Sequence, residues 1–171
     1  FSPERRDPSW RAANGIAPND VVIAFAGRLV LEKGLDIFAD TIDMLKTRNV
    51  RHKALIIGEG PERAWFQQRL PEGVFTGFLE DDALARAYAS ADVLLNPSFT
   101  ETFGNVTTEA MAAGVPVVAA RATGAVDLVR EGITGFLVEP TDVAGYADRI
   151  ARFVADPALR DARYCHGTAR A

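Results

Sequence analysis

Short unbroken apolar runs alternate along the chain with longer stretches whose apolar residues recur every three or four positions. Val21–Gly27 (VVIAFAG) is the first run, and it predicts a strand covered on both faces. Lys33–Arg48 follows, with Leu35, Phe38, Ala39, Ile42 and Leu45 on one helical face. The alternation continues with a strand at Lys53–Gly58 and a helix over Pro61–Leu70 that has Pro in its first turn. Val74–Phe78 predicts a strand and Asp81–Ala91 a helix. Val93–Asn96 reads as a strand, and Asn105–Ala113 as a helix ended by Gly114 at C′. A strand at Val117–Ala120, a short helix over Ala125–Glu131, a strand at Phe136–Val138 and a helix from near Val143 past Arg152 complete the pattern.

Strands that alternate regularly with helices imply βαβ units and right-handed crossovers. The expected fold is therefore α/β, a doubly wound parallel sheet of Rossmann-like type. In such sheets ligands bind beyond the carboxyl ends of the strands, so chemistry is expected on the loops that leave them.

The 171 residues suit one domain, and 48% hydrophobic with 25% charged residues allows both a core and a solvated surface. No run reaches the roughly 20 apolar residues of a membrane-spanning helix. The net charge of −4 argues against a general nucleic-acid binder, without excluding a local basic pocket. One cysteine (Cys165) and two distant histidines (His52 and His166) leave no internal disulfide and no zinc-ligand spacing. No metal site is expected. The opening FSPERRDPSW reads as a connector, so residues 1–20 are expected to be an interdomain remnant and residues 21–171 the domain proper. A preceding domain would then belong to the same protein.

Four loops carry candidate chemistry. Gly27-Arg28-Leu29-Val30-Leu31-Glu32-Lys33-Gly34 lacks the dinucleotide glycine fingerprint but sets Arg28 and Lys33 five residues apart where a helix begins. A guanidinium, an ammonium and helix amides together suit a phosphate, although Arg28 could instead pair with a core carboxylate. Gly58-Glu59-Gly60-Pro61 allows close backbone approach to a ligand, or is an ordinary tight turn. At Thr76–Asp82, Asp81 or Asp82 is a natural helix cap, with backbone contact to a base edge around Phe78 and Leu79 as the functional alternative. The fourth loop runs from Asn96 to Glu109. It places Glu101 in the loop, Glu109 about one turn inside the helix, and the amides of Gly104, Asn105 and Val106 facing outward. Those amides favour an anion, and the carboxylates favour the hydroxyls of a sugar or ribose. The same two carboxylates could serve a hydrolase, but a donor-rich helix terminus would be wasted on a neutral glycoside.

At these residues the chain resembles the nucleotide-sugar-binding half of GT-B-fold retaining glycosyltransferases of the family 4 (group 1) type. The resemblance rests on GRLVLEKG, GEGP, ETFGNVTTE and AMAAGVPVVAA, in order, across roughly Val21 to Pro140. It implies that Arg28 and Lys33 bind the donor diphosphate and that Glu101 binds hydroxyls of the donor sugar. Amides from Thr102 through Phe103, Gly104 and Asn105 to Val106 would line sugar and phosphate, and Glu109 would hold the ribose. The Phe78–Leu79 backbone would sit at the base, with Gly27, Gly58 and Gly60 giving the donor close backbone approach. The implied reaction transfers a hexose from a GDP- or UDP-sugar to a saccharide or lipid acceptor, commonly without a metal or other cofactor. Asp81 near the base would suit guanine, and hence GDP-mannose.

Where the family often has Gly-Gly-x-x-Glu, this chain has Thr123-Gly124-Ala125-Val126-Asp127. The family's acceptor site belongs to an N-terminal domain, through which peripheral membrane association is compatible, and a cytoplasmic location is expected. The isolated chain is expected to bind nucleotide weakly without turnover. A sugar-nucleotide epimerase half and a non-catalytic nucleotide-binding module are the competing readings.

Overall fold

The computed structural model describes residues 1–100 and 103–162. Among them six parallel strands form one sheet: β1 (Val22–Ala26), β2 (Lys53–Ile57), β3 (Val74–Gly77), β4 (Val93–Asn96), β5 (Val117–Ala120) and β6 (Gly135–Val138). The spatial order is β3-β2-β1-β4-β5-β6, so the winding reverses between β1 and β4. This is the Rossmann-like, doubly wound fold.

The helices are α1 (Pro8–Ala13), α2 (Leu35–Thr47), α3 (Arg63–Arg69), α4 (Asp81–Ala89), α5 (Asn105–Ala112), α6 (Val143–Ala155) and α7 (Pro157–Ala162). Alternate strand residues feed two cores. Ile23 and Phe25 of β1 join Phe38 of α2, Phe66 of α3 and Phe153 of α6 on one face. Ala24 and Ala26 join Tyr88 of α4 and Ala110 of α5 on the other. Burial on both faces explains why β1, β4 and β5 read as unbroken apolar runs.

The ends of α5 behave as its sequence dictates. Gly114 (φ +74°) donates to Met111 O and Val115 to Ala110 O, the paired bonds of a glycine-ended helix.

Three boundaries differ from expectation. The stretch Lys33–Arg48 is broken by Gly34 at φ +75°, which separates a single 3₁₀ turn, Leu31–Lys33, from α2. The helix after Gly60 starts at Arg63, because Gly60, Pro61 and Glu62 remain in the turn that braces the neighbouring loop. Ala125–Glu131 is not a helix: one 3₁₀ turn at Thr123–Ala125 leads into further turns. With Thr123-Gly124 before it and Gly132 after it, that stretch is too short to repay helix nucleation.

Residues 1–16 are packed on the domain. Asp7 caps α1 by accepting from Ser9 N and Trp10 N at 2.8 and 3.0 Å, and Ile16 is buried in the core. Arg11 is buried and donates to Ser90 O (2.7 Å), Asp20 O (2.6 Å) and Asp92 Oδ2 (3.3 Å).

Candidate functional site

The β1 and β4 loops flank the reversal point, where a doubly wound sheet opens a crevice. They touch directly: a Cβ on Gly34 would lie 2.9 Å from Pro97 O. Thr100 Oγ1 also donates to Glu32 O at 3.3 Å.

The β1 loop is stitched to the β2 loop by backbone bonds. Gly27 N donates to Ile57 O, Leu29 N to Glu59 O, and Glu62 N to Leu29 O, at 2.9, 2.9 and 3.1 Å. A Cβ on Gly60 would meet Leu29 O at 2.4 Å. Gly60 is therefore glycine so that the GEGP turn can press on the Arg28 loop. It braces that loop through the Leu29 backbone.

Two adjoining cavities open along these loops. The larger, about 380 Å³, is walled by Ile57, Phe78, Leu79, Leu84, Tyr88 and Val106, with Glu59 and Glu109 also in its lining. The second, about 240 Å³, is walled by Lys33, Asn96, Ser98 and Asn105. Ala26, Gly27, Arg28 and Val106 line both, so the two form one cleft with Arg28 at the junction. One end is apolar and aromatic, and the other is polar and cationic.

Among the described residues no carboxylate pairs with Arg28, and its side chain is exposed at the cleft. The core-pairing alternative is thereby set aside. Lys33 lines the polar end, half-buried. Asn96 and Ser98 are buried at the carboxyl end of β4. Asn96 Nδ2 donates to Thr107 Oγ1 at 3.3 Å, and Ser98 N donates to Asn96 Oδ1 at 3.3 Å.

Helix α5 presents its N-terminus here. Its N-cap is Gly104, in the left-handed conformation (φ +65°), and no Gly104 side chain exists to satisfy the first-turn amides. The positive helix end therefore faces the cleft through Asn105 and Val106. A Cβ on Gly104 would meet Gly124 O at 2.7 Å, so the divergent β5 loop packs against this glycine. Glu109 is half-buried in the cleft wall.

The expected residues thus divide. Gly27, Arg28, Lys33, Gly58, Phe78, Leu79, Asn105, Val106 and Glu109 come together around one cleft. Gly60 packs on the Leu29 backbone and Gly104 on Gly124. Phe103 is 81% exposed, and Asp81 is exposed with its backbone at φ +47°. Neither Asp81 nor Asp82 caps α4: no side-chain cap bond forms there, and Asp82 is bound to Arg86 at 2.8 Å. Glu101 and Thr102 lie outside the described residues.

Sequence reasoning passed over Glu59, Leu84, Tyr88, Asn96 and Ser98. Leu84 and Tyr88 stand four apart on α4, and that spacing was the available signal. Among the described residues no group of three or more His, Cys, Asp or Glu could hold a metal. No helix among them is long and apolar enough to cross a membrane.

A parallel α/β sheet with a two-ended polar and apolar cleft at its reversal point places the chain in the Rossmann-like class, with the cleft where such sheets hold ligands. Within that class the chain belongs to the family described as Glycosyl transferases group 1, which it matches over residues 20–156. It is 33% identical over 156 residues to a GDP-mannose-dependent alpha-mannosyltransferase of Corynebacterium glutamicum, covering 91% of this chain and 37% of that protein. The structure of Anabaena HepE in complex with UDP and glucose superposes with a TM-score of 0.78 at 27% identity, covering 98% of this chain and 48% of that one. The C-terminal domain of the group 1 glycosyltransferase LpcC from Francisella tularensis matches with a TM-score of 0.79, over 98% of this chain and 94% of that domain. At 22% identity that last likeness concerns the fold alone. The chain spans about a third of the length of the curated relatives it matches.

Proposed function

We propose that this chain is the donor-binding part of a retaining hexosyltransferase of the family 4 type, which takes its sugar from a GDP- or UDP-sugar. The observation that carries the reading is the polarity of the cleft. An apolar end walled by Phe78, Leu79 and Tyr88 suits a nucleobase, Glu109 suits a ribose diol, and Arg28 with Lys33 suits a diphosphate. The apolar cavity and the cationic one meet at Arg28, as the nucleoside and diphosphate parts of one ligand would require.

In this reading the Phe78–Leu79 loop abuts the base. Arg28, Lys33 and the free amides at the start of α5 offset the charge that builds on the departing diphosphate. Such stabilisation grows toward the transition state and so accelerates transfer. Glu101 holds hydroxyls of the donor sugar. The acceptor, a saccharide or lipid, is brought by a second domain of the full-length protein. The chemistry needs both halves, so the 171 residues alone bind donor and do not turn it over. The Corynebacterium relative favours GDP-mannose and the HepE complex favours a UDP-sugar. Asp81 lies at the start of α4, two residues after Leu79.

Calorimetric titration of UDP, GDP and ADP tests the reading. Binding of GDP or UDP in the micromolar to millimolar range is expected, and no binding of any nucleotide at millimolar concentration would end it. In the full-length protein, Arg28→Ala and Glu109→Ala should each reduce transfer. Unchanged turnover in both would favour a non-catalytic nucleotide-binding module.

A further inference from the structure

Helix α4 supplies two side chains to the apolar end of the cleft, Leu84 and Tyr88, and Phe78 and Leu79 lie just before its start. Its outer surface is gripped along its whole length by the first seven residues of the chain. Arg5 pairs with Asp82 in the first turn. Asp7 pairs with Arg86 at 3.4 Å in the middle, and Arg86 holds Asp82 at 2.8 Å. The Phe1 ring meets the Tyr88 ring edge-on, 5.6 Å between centroids. At the far end, Arg6 Nη1 donates to Ala89 O (3.3 Å) and Ala91 O (2.9 Å), and Nη2 donates to Asp92 Oδ1 (2.8 Å). A guanidinium there satisfies carbonyls that a helix end leaves open and suits its negative pole.

The same segment touches the second helix of the cleft. A Cβ on Gly114, which ends α5, would lie 2.6 Å from Pro3 Cγ, so Pro3 rests on that helix end. Helix α5 carries Val106 and Glu109.

We propose that Phe1–Asp7 is a strap that seats α4 against the sheet, and that Phe1 and Arg6 are positioning residues for the nucleoside wall of the cleft. This rests on the donor-site reading, and adds that nucleoside affinity depends on a segment that itself touches no ligand. The surface ion pairs of the strap are each worth little to global stability. Their joint effect is to fix where Tyr88 and Leu84 stand. The Phe1 ring packs edge-on against Tyr88, which lines the cavity, so loss of that ring lets the wall relax. The phosphate end is built on the β1 and β4 loops and the first turn of α5, and Pro3 meets α5 only at its opposite end, at Gly114, so the phosphate end should be indifferent to the loss of Phe1 or Arg6.

The test uses the whole 171-residue chain carrying Phe1→Ala or Arg6→Ala. GDP, UDP and inorganic pyrophosphate are titrated, and hydrogen exchange is followed over residues 78–89 without ligand. The expected result is a nucleotide Kd raised about three- to tenfold, the size of one lost aromatic contact. Pyrophosphate binding should stay unchanged, with faster exchange in α4 and recovery of the nucleotide Kd in Phe1→Tyr. Equal losses for nucleotide and pyrophosphate would mean general damage and overturn the assignment. So would nucleotide affinity and exchange identical to the parent chain. If the parent chain binds no nucleotide but exchange still quickens, the donor-site reading fails and the seating of α4 stands.

Discussion

A Cβ on Gly58 would lie 1.9 Å from the carbonyl oxygen of Gly27, and Gly58 itself sits at φ +139°. The carboxyl ends of β1 and β2 approach so closely here that only hydrogen fits between them. Gly58→Ala therefore meets both a strained backbone and a backbone clash, and is expected to cost roughly 3 kcal/mol or more. Gly132 provides the comparison. It has φ +75° with nothing within 4 Å of an added Cβ, so Gly132→Ala should cost only about 1 kcal/mol of backbone strain. Urea unfolding of both variants measures the difference, and equal costs would show that the Gly27 contact is not what requires glycine.

Arg28 stands at the junction of the two cavities with no carboxylate partner among the described residues. Its removal should weaken nucleoside diphosphate binding by about 1.5–3 kcal/mol, the range for hydrogen bonds to charged groups. Nucleoside binding should hardly change. Arg28→Lys should recover only part of the loss, since a point charge cannot grip two oxygens in one plane. Calorimetry with GDP and guanosine, or UDP and uridine, separates the two effects. A loss shared equally by nucleoside and diphosphate would place Arg28 at the wrong end of the ligand.

Glu109 is half-buried beside the apolar end, where a ribose would leave the base pocket. Glu109→Ala should weaken a ribonucleoside diphosphate about tenfold, as expected for losing a hydrogen bond to a charged acceptor. The corresponding 2′,3′-dideoxynucleotide lacks the diol and should bind both proteins alike. Parallel titrations close the cycle. Equal loss with both ligands would remove the ribose contact.

All six strands were legible because each is a short apolar run, and α2 because its apolar residues share one face. Spatial strand order was not legible. Nothing in the apolar pattern of β4 says that it lies beside β1, and that adjacency is what brings the Arg28 loop to α5. In sequence GRLVLEKG and GEGP read as two separate loops, the second either a ligand loop or an ordinary tight turn. In the fold one braces the other, which only the Leu29–Glu59 and Glu62–Leu29 bonds reveal. The docking of residues 1–16 was also hidden. Arg11 gains its burial from carbonyls and a carboxylate at Ser90, Asp20 and Asp92, up to 81 positions away in sequence. Local propensity carries no information about such contacts.

Tyr146, on α6, is fully buried, and its hydroxyl has no hydrogen-bond partner among the described residues. A buried hydroxyl without a partner forfeits its hydration, at a cost of about 1–3 kcal/mol. Tyr146→Phe removes the orphan oxygen and keeps the ring, so it should leave stability unchanged or raise it by about 1 kcal/mol at pH 7. The effect should grow with pH. Burial, then the Asp142 and Glu139 carboxylates, hold the phenol neutral well above its ordinary range. In the unfolded chain the phenol ionises near pH 10, at about its unperturbed value. Below that pH both states keep the proton and the phenol adds no pH dependence. Above it the unfolded state releases the proton while the folded state retains it, so stability falls by up to about 1.4 kcal/mol per pH unit until the folded group ionises. The Phe variant is spared this loss. Urea midpoints at pH 7, 9, 10.5 and 11 should show the advantage of Tyr146→Phe widening above pH 10. A gap that stays constant across the series would mean that the hydroxyl is hydrated in the folded protein.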